Sequence, residues 1–173
     1  MNDKLIFVVG FMGCGKSAVA KELSRLLNKP FVDLDLEVGK IDGRPPAQII
    51  TQDGEKTFRD QETKALRALL DTHDQAVVAL GGGAWTIAVN RELIRSVESI
   101  TIWLDVPFDI CWQRIEKDGS TRPLAPSRTA AENLYSERLP FYRRANVHVP
   151  VSDELPTETA KKINALLPQQ SHT

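Results

Sequence analysis

A chain of 173 residues, 42% hydrophobic and 26% charged, has the balance of one globular domain rather than of a disordered segment. Its 22 Lys and Arg against 23 Asp and Glu leave a net charge of -1, without the basic excess that gripping a nucleic-acid backbone requires. No apolar run approaches the roughly 18 residues of a membrane span, and Cys14 and Cys111 fit neither a disulfide framework nor a zinc pattern.

The first residues, Met1-Asn2-Asp3-Lys4-Leu5, enter a strand-like run at once and leave no room for a signal peptide. The expectation is a soluble, cytoplasmic protein that binds neither membrane nor nucleic acid. Residues 4–9 form a short apolar run of β-branched and aromatic side chains, which predicts a strand buried on both faces. Glycines follow, and Val19, Ala20, Leu23, Leu26 and Leu27 recur at helical spacing until Asn28 and Pro30 stop the helix. Residues 31–34 read as a second strand, with Asp33 and Asp35 at its end. Residues 37–70 have helical composition, interrupted at Asp42-Gly43 and Asp53-Gly54. Their last part, 55–70, sets Phe58, Leu66, Leu69 and Leu70 among charges and predicts an exposed amphipathic helix.

Residues 76–80 predict a third buried strand, running into Gly81-Gly82-Gly83. A helix over 90–97, a strand over 100–104 and a helix from about Pro107 to Lys117 come next. Residues 118–128 have no periodicity and dense turn chemistry, the mark of a lid, a binding loop or a disordered segment. A helix over 129–144, a fifth strand over 147–151 and a helix over 157–167 complete the pattern, with 169–173 expected as a frayed tail. Short apolar strands alternating with helices mean an α/β fold: a five-stranded parallel sheet flanked by helices, one domain over 1–173.

Gly10-Phe11-Met12-Gly13-Cys14-Gly15-Lys16-Ser17 satisfies G-x-x-x-x-G-K-[ST], placed between a strand and a helix where a phosphate-binding loop belongs. Backbone N–H groups and the helix N-terminus there favour an anion. Lys16 would reach the β- and γ-phosphates, and the Ser17 hydroxyl would ligate Mg²⁺. Cys14, beside Lys16 at a helix N-terminus, is expected to point into that cradle with its thiolate stabilised, the alternative being that it points away and packs beneath the loop. Cys111 is expected to be a buried, inert thiol in an apolar helix.

Asp33 and Asp35, two residues apart, would share one face of a strand at its carboxyl end. One carboxylate could hold the metal's water shell while the other takes a proton from an acceptor hydroxyl. The alternative is a helix N-cap with a solvated loop charge. The glycine triplet admits two readings as well, a close ligand approach or a tight turn. Arg59 pairs with Glu62 at i, i+3 in the manner of a surface ion pair. Pattern alone singles out neither it nor Arg122 nor Arg138. His73, His148 and His172 share no ligand spacing.

In order and with similar gaps, these segments resemble the shikimate kinases, of the nucleoside-monophosphate-kinase-like group of P-loop enzymes. The resemblance runs from Lys4 to about Val151. It is carried by the P-loop with its methionine, Phe31-Val32-Asp33-Leu34-Asp35, Phe58-Arg59 with Glu62, Gly81-Gly82-Gly83, Arg122-Pro123-Leu124 and Arg138-Leu139-Pro140-Phe141-Tyr142. It implies transfer of the ATP γ-phosphoryl group to the 3-hydroxyl of shikimate, a step towards chorismate, by a monomer with a mobile lid over about 118–128. Gly13, Cys14, Gly15, Lys16, Ser17, Ala18 and Arg122 would bind ATP, and Ser17 and Asp33 would hold Mg²⁺. Arg59, Arg138, Asp35 and the Gly82 backbone would bind shikimate. Lys16, Asp35 and Arg122 would serve the chemistry.

The sequence departs from the family pattern at three places. Ser152-Asp153-Glu154-Leu155-Pro156 lacks the arginine often found near the adenine, Asn146 replaces a frequent aspartate, and Trp85 stands where a smaller residue is common and would narrow the shikimate pocket. A related small-molecule kinase, such as one acting on gluconate, would share the P-loop without needing both Arg59 and Arg138. A guanine-nucleotide switch is disfavoured: the nearest match to its base-reading motif, Asn28-Lys29-Pro30-Phe31, lacks the aspartate.

Overall fold

The computed structural model describes residues 4–119 and 122–167. The tail expected at 169–173 lies outside the described residues, as do positions 120 and 121 of the irregular stretch. Five strands, β1 (Leu5–Val9), β2 (Phe31–Asp33), β3 (Ala76–Ala79), β4 (Ser99–Asp105) and β5 (Val147–Pro150), form one sheet in the order β2-β3-β1-β4-β5. Every neighbouring pair is parallel. β1 and β3 are buried along their whole length, which is why they read as continuous apolar runs.

The helices are α1 (Lys16–Leu27), α2 (Leu34–Asp42), α3 (Pro46–Thr72), α4 (Ala88–Arg95), α5 (Phe108–Asp118), α6 (Arg128–Tyr142) and α7 (Pro156–Leu166), with a 3-10 turn at Ala84–Thr86. α1 buries Val19, Ala20 and Leu23 and packs against α7 and β3. It ends as expected at Asn28, which takes a left-handed conformation at φ 51°. α3 is two helices joined at Gly54, whose φ of 87° breaks the ladder where Asp53-Gly54 was expected to interrupt it. None of the helices among the described residues is long and apolar enough to cross a membrane.

Two local expectations need correction. β2 stops at Asp33 rather than Leu34, because Leu34 is fully buried as the first residue of α2. Asp33 and Asp35 therefore do not share a strand face. Asp33 caps α2, its side chain accepting from the Asp35 backbone N–H at 3.1 Å, and Asp35 lies in the helix's first turn. The capping alternative is correct for Asp33, and it does not exclude a role in the cleft.

Candidate functional site

Parallel strands end at one edge of the sheet, and here β1, β2 and β3 each deliver a segment to that edge. β1 lies between β3 and β4, yet the chain leaves it for β2 on one side and later reaches β4 on the other. That divergence opens a crevice at the carboxyl ends of the strands. The cleft there has a volume of about 330 Å³, and every site residue expected from the sequence lines it except Cys14.

The loop after β1 forms one end. Gly13 holds φ 75°, and a Cβ on it would come within 2.6 Å of the Cys111 carbonyl oxygen, so only glycine fits. Gly15 precedes α1 in a left-handed conformation with no side-chain cap, leaving the helix's first N–H groups directed at the cleft. The Lys16 ammonium is folded back along the loop, donating to the Phe11 carbonyl at 2.8 Å. The Ser17 hydroxyl donates to Asp33 Oδ2 at 2.5 Å, joining the loop to the end of β2. Ala18 also faces the cleft.

Cys14 departs from expectation. Its thiol is 2% exposed and packs beneath the loop, 2.8 Å from where a Gly10 Cβ would stand. Its backbone N–H donates within the loop, to the Phe11 carbonyl at 3.2 Å. Cys111 is buried as expected, and burial pushes its thiol up to about 12.

The other end is built around the glycine triplet, a turn with the Ala84 N–H donating to the Gly81 carbonyl at 3.0 Å, against which charged side chains pack closely. A Cβ on Gly81 would lie 2.7 Å from Asp35 Oδ1 and 2.8 Å from Glu62 Oε1, and one on Gly82 would lie 3.2 Å from Arg138 NH1. One on Gly83 would overlap the Arg59 guanidinium. Three bare backbones thus floor a ring of two acids and two arginines. The turn is fixed from behind: Asn90 Nδ2 donates to the Ala84 carbonyl, Arg91 NH1 to the Trp85 carbonyl, and the Tyr142 hydroxyl to the Gly82 carbonyl. Trp85 does not narrow the cleft. It is 1% exposed behind the turn, its indole N–H donating to the Phe141 carbonyl at 2.9 Å.

Electrostatics follow from this crowding. Burial raises the Asp35 carboxyl above its ordinary range and the Asp33 charge adds to it, while Lys16, Arg59 and Arg122 pull it back. Arg59 and Glu62 are no surface pair: Glu62 is fully buried and its Oε2 accepts from Arg59 NH1 at 2.9 Å. Burial pushes Glu62 up to about 7, with Arg59 offsetting part of the shift and Asp35 adding to it. Burial works against the Arg59 charge, but Glu62 and Glu55 together outweigh it and hold the guanidinium above its ordinary range. Arg138 is 5% exposed and reaches the cleft from α6.

Arg122, Pro123 and Leu124 close one side of the cleft, and Arg122 NH2 meets Asp118 at 3.3 Å. The described part of 118–128 has no regular structure between Gly119 and Ser127, which caps α6 by accepting from the Ala130 N–H. Two residues escaped the sequence reading. Arg114 on α5 donates to the Gly13 and Cys14 carbonyls and stands 3.7 Å from Asp153 in the segment after β5, joining the P-loop to that segment. Glu55 holds Arg59 from the side opposite Glu62; its i, i+4 spacing was the available signal. Asn146 instead ties β4 to β5, its Oδ1 accepting from the Thr101 N–H and hydroxyl.

Comparison with known proteins adds to this geometry. A family model described as shikimate kinase matches residues 12–168. A shikimate kinase of Synechococcus sp. (strain JA-3-3Ab) is 36% identical over 162 residues, covering 91% of this chain and 84% of the relative. The solved shikimate kinase of Acinetobacter baumannii in complex with shikimate superposes with a TM-score of 0.89 at 32% identity, covering 98% of this chain and 96% of that one. The shikimate kinase of Aquifex aeolicus vf5 does so with a TM-score of 0.81 at 35% identity, over 94% and 95%.

Proposed function

The chain belongs to the shikimate kinase family of ATP-dependent phosphotransferases with an alcohol acceptor, and from that premise we propose how its residues move the γ-phosphoryl group of ATP to the 3-hydroxyl of shikimate. The observation that carries the proposal is the polarity of the cleft. The phosphate-loop residues and two inward arginines line one cleft, and Asp35 lies within electrostatic reach of Lys16, Arg59 and Arg122.

ATP phosphates enter the loop of Gly13, Gly15, Lys16, Ser17 and Ala18, with Cys14 contributing its place in the backbone rather than its thiol. Lys16 exchanges the Phe11 carbonyl for phosphate oxygens. Ser17 Oγ and Asp33 Oδ2 are adjacent hard oxygen donors. Such a pair fits Mg²⁺, which takes one or two protein oxygens beside phosphate and water. Ser17 would ligate it and Asp33 would hold its water shell. Bound there, Mg²⁺ offsets phosphate charge.

The planar forks of Arg59 and Arg138 hold the shikimate carboxylate, a task that suits guanidinium better than ammonium. That anchor turns the ring hydroxyls towards Asp35 and the Gly82 backbone. The 3-oxygen then bonds to the γ-phosphorus as the bond from phosphorus to the departing ADP oxygen breaks. Asp35, with its raised affinity for protons, receives the hydroxyl proton. Arg122 swings in with the lid over 118–128 and touches the transferring phosphate. Closure excludes water that would otherwise hydrolyse ATP. We propose that it works as a single-domain monomer in the cytoplasm.

A coupled ADP-release assay with ATP and Mg²⁺, comparing shikimate, gluconate and nucleoside monophosphates, tests the acceptor. Turnover is expected with shikimate. A higher kcat/KM with gluconate would overturn the assignment.

A further inference from the structure

The two arginines at the acceptor end are not held alike. Among the described residues Arg138 forms no ion pair, and its guanidinium lies along the glycine turn. Arg59 carries an acid on each side. Buried Glu62 takes NH1, while Glu55, one turn earlier on α3, accepts from both Nε at 3.2 Å and NH2 at 3.1 Å.

A guanidinium offers a carboxylate two parallel N–H donors along an edge. On Arg59 the NH1 end belongs to Glu62, and the faces are covered by Gly83 and by the Phe58 ring, 5.0 Å away. The Nε–NH2 edge is therefore the one left for bidentate pairing, and a single Glu55 oxygen, Oε1, accepts from both of its N–H groups. The two acids also differ in what leaving would cost. Glu62 has no exposed side-chain surface, whereas the Glu55 side chain is 50% exposed on the first turn after the Gly54 break. Glu62 has nowhere else to go; Glu55 has water.

We propose that Glu55 is a displaceable counter-ion, a positioning residue that occupies the Arg59 edge taken over by the acceptor's carboxylate. Until an anion arrives it keeps the guanidinium aimed and neutralised, and the arriving carboxylate exchanges for it. An uncharged polyol has no group to make that exchange, so the device favours anionic acceptors. The inference rests on the reading of Arg59 as a carboxylate anchor.

Steady-state kinetics of wild type, Glu55→Gln and Glu55→Ala test it, with shikimate and with its uncharged methyl ester, and again in an Arg59→Ala background. Exposed ion pairs compete weakly, so both Glu55 variants should lower KM for shikimate by about two- to fivefold at low ionic strength. The gain should be confined to KM, shrink in high salt, and vanish with the ester and in Arg59→Ala. A residue that merely supported the helix would raise KM or leave it alone. Unchanged or raised KM for shikimate in both variants, with Arg59→Ala still impaired, overturns the counter-ion role alone. If Arg59→Ala itself leaves KM for shikimate unchanged, the anchor reading falls, and this inference with it.

Discussion

Tyr142 and Gly82 are joined by a 2.5 Å hydrogen bond, the phenol donating to the carbonyl, and through it α6 sets the position of the glycine turn beneath Arg138. Tyr142 is 1% exposed, and burial holds its phenol above the ordinary range, so it remains a donor at any working pH. Tyr142→Phe removes the donor and leaves the ring. The orphaned carbonyl should cost about 1–3 kcal/mol of stability. KM for shikimate should rise while KM for ATP holds, because the turn serves the acceptor end. Urea unfolding and paired KM measurements check both. An equal loss at both substrates would mean the bond supports the fold generally.

Glu62 gives a pH dependence with a defined sign. Its folded value of about 7 lies above the ordinary 4.5, so folding favours the protonated form. The stability it contributes is fully present below 4.5 and is lost as pH rises through 7. At about 1.4 kcal/mol per unit, the loss between pH 4.5 and 8 should be on the order of 3 kcal/mol. Glu62→Gln carries no such titration, so its stability relative to wild type should improve across that window. Denaturant midpoints for both proteins at several pH values decide it. A constant difference would mean that Glu62 stays ionised throughout.

Gly83→Ala tests the close approach. The added methyl would overlap the Arg59 guanidinium, and the arginine is the group able to move. Gly83 holds ordinary helical dihedrals at φ -104°, so no backbone strain accompanies the change. The expected result is an order-of-magnitude rise in KM for shikimate, comparable to Arg59→Ala, with KM for ATP unaffected and the melting temperature little changed. A glycine needed only for its turn would show the opposite, lost stability with intact affinity.

Much of this was legible before any coordinates. β1 and β3 are buried on both faces, so each announces itself as an unbroken apolar run, and β4 reads nearly so, buried over 101–104 with one polar residue, Thr101, in the run. β2 was legible as a strand but one residue too long, because three residues carry no period, and what ends it is the burial of Leu34 in α2. Glu62 looked like half of a surface pair because i, i+3 spacing describes a helix face and not what covers it. Its cover is the turn at Gly81, far along the chain. Arg114 left no local signal, since its partners are carbonyl oxygens a hundred residues away.

Lys16 should stabilise charge on the transferring phosphoryl group once it leaves the Phe11 carbonyl. Lys16→Ala should lower kcat by about 100-fold or more, as loss of such electrostatic groups does. The fold should persist, because this side chain is only partly buried and its one strong contact is to a loop carbonyl. Turnover assays with circular dichroism on the same sample check this. Retention of about a tenth of wild-type activity would remove the lysine from the chemistry.

The cysteines provide a test of where the P-loop directs its side chains. The motif fixes the backbone path at Cys14 but not the direction of the thiol. Because Gly10 lacks a Cβ, space opens under the loop, and Cys14 fills it at 2% exposure rather than facing the phosphates. Cys111 is fully buried, and its ionisation is pushed up to about 12. Alkylation and disulfide exchange need an accessible sulfur, and both cysteines are buried. A chromogenic disulfide reagent should therefore detect close to none of the 2 thiols in the native protein and both after denaturation. Adding ATP should change the native rate only as far as it stabilises the fold, and it should slow both cysteines together. Fast native labelling of Cys14 alone, blocked by ATP and matched by loss of activity, would place the thiol in the phosphate cradle instead of beneath it.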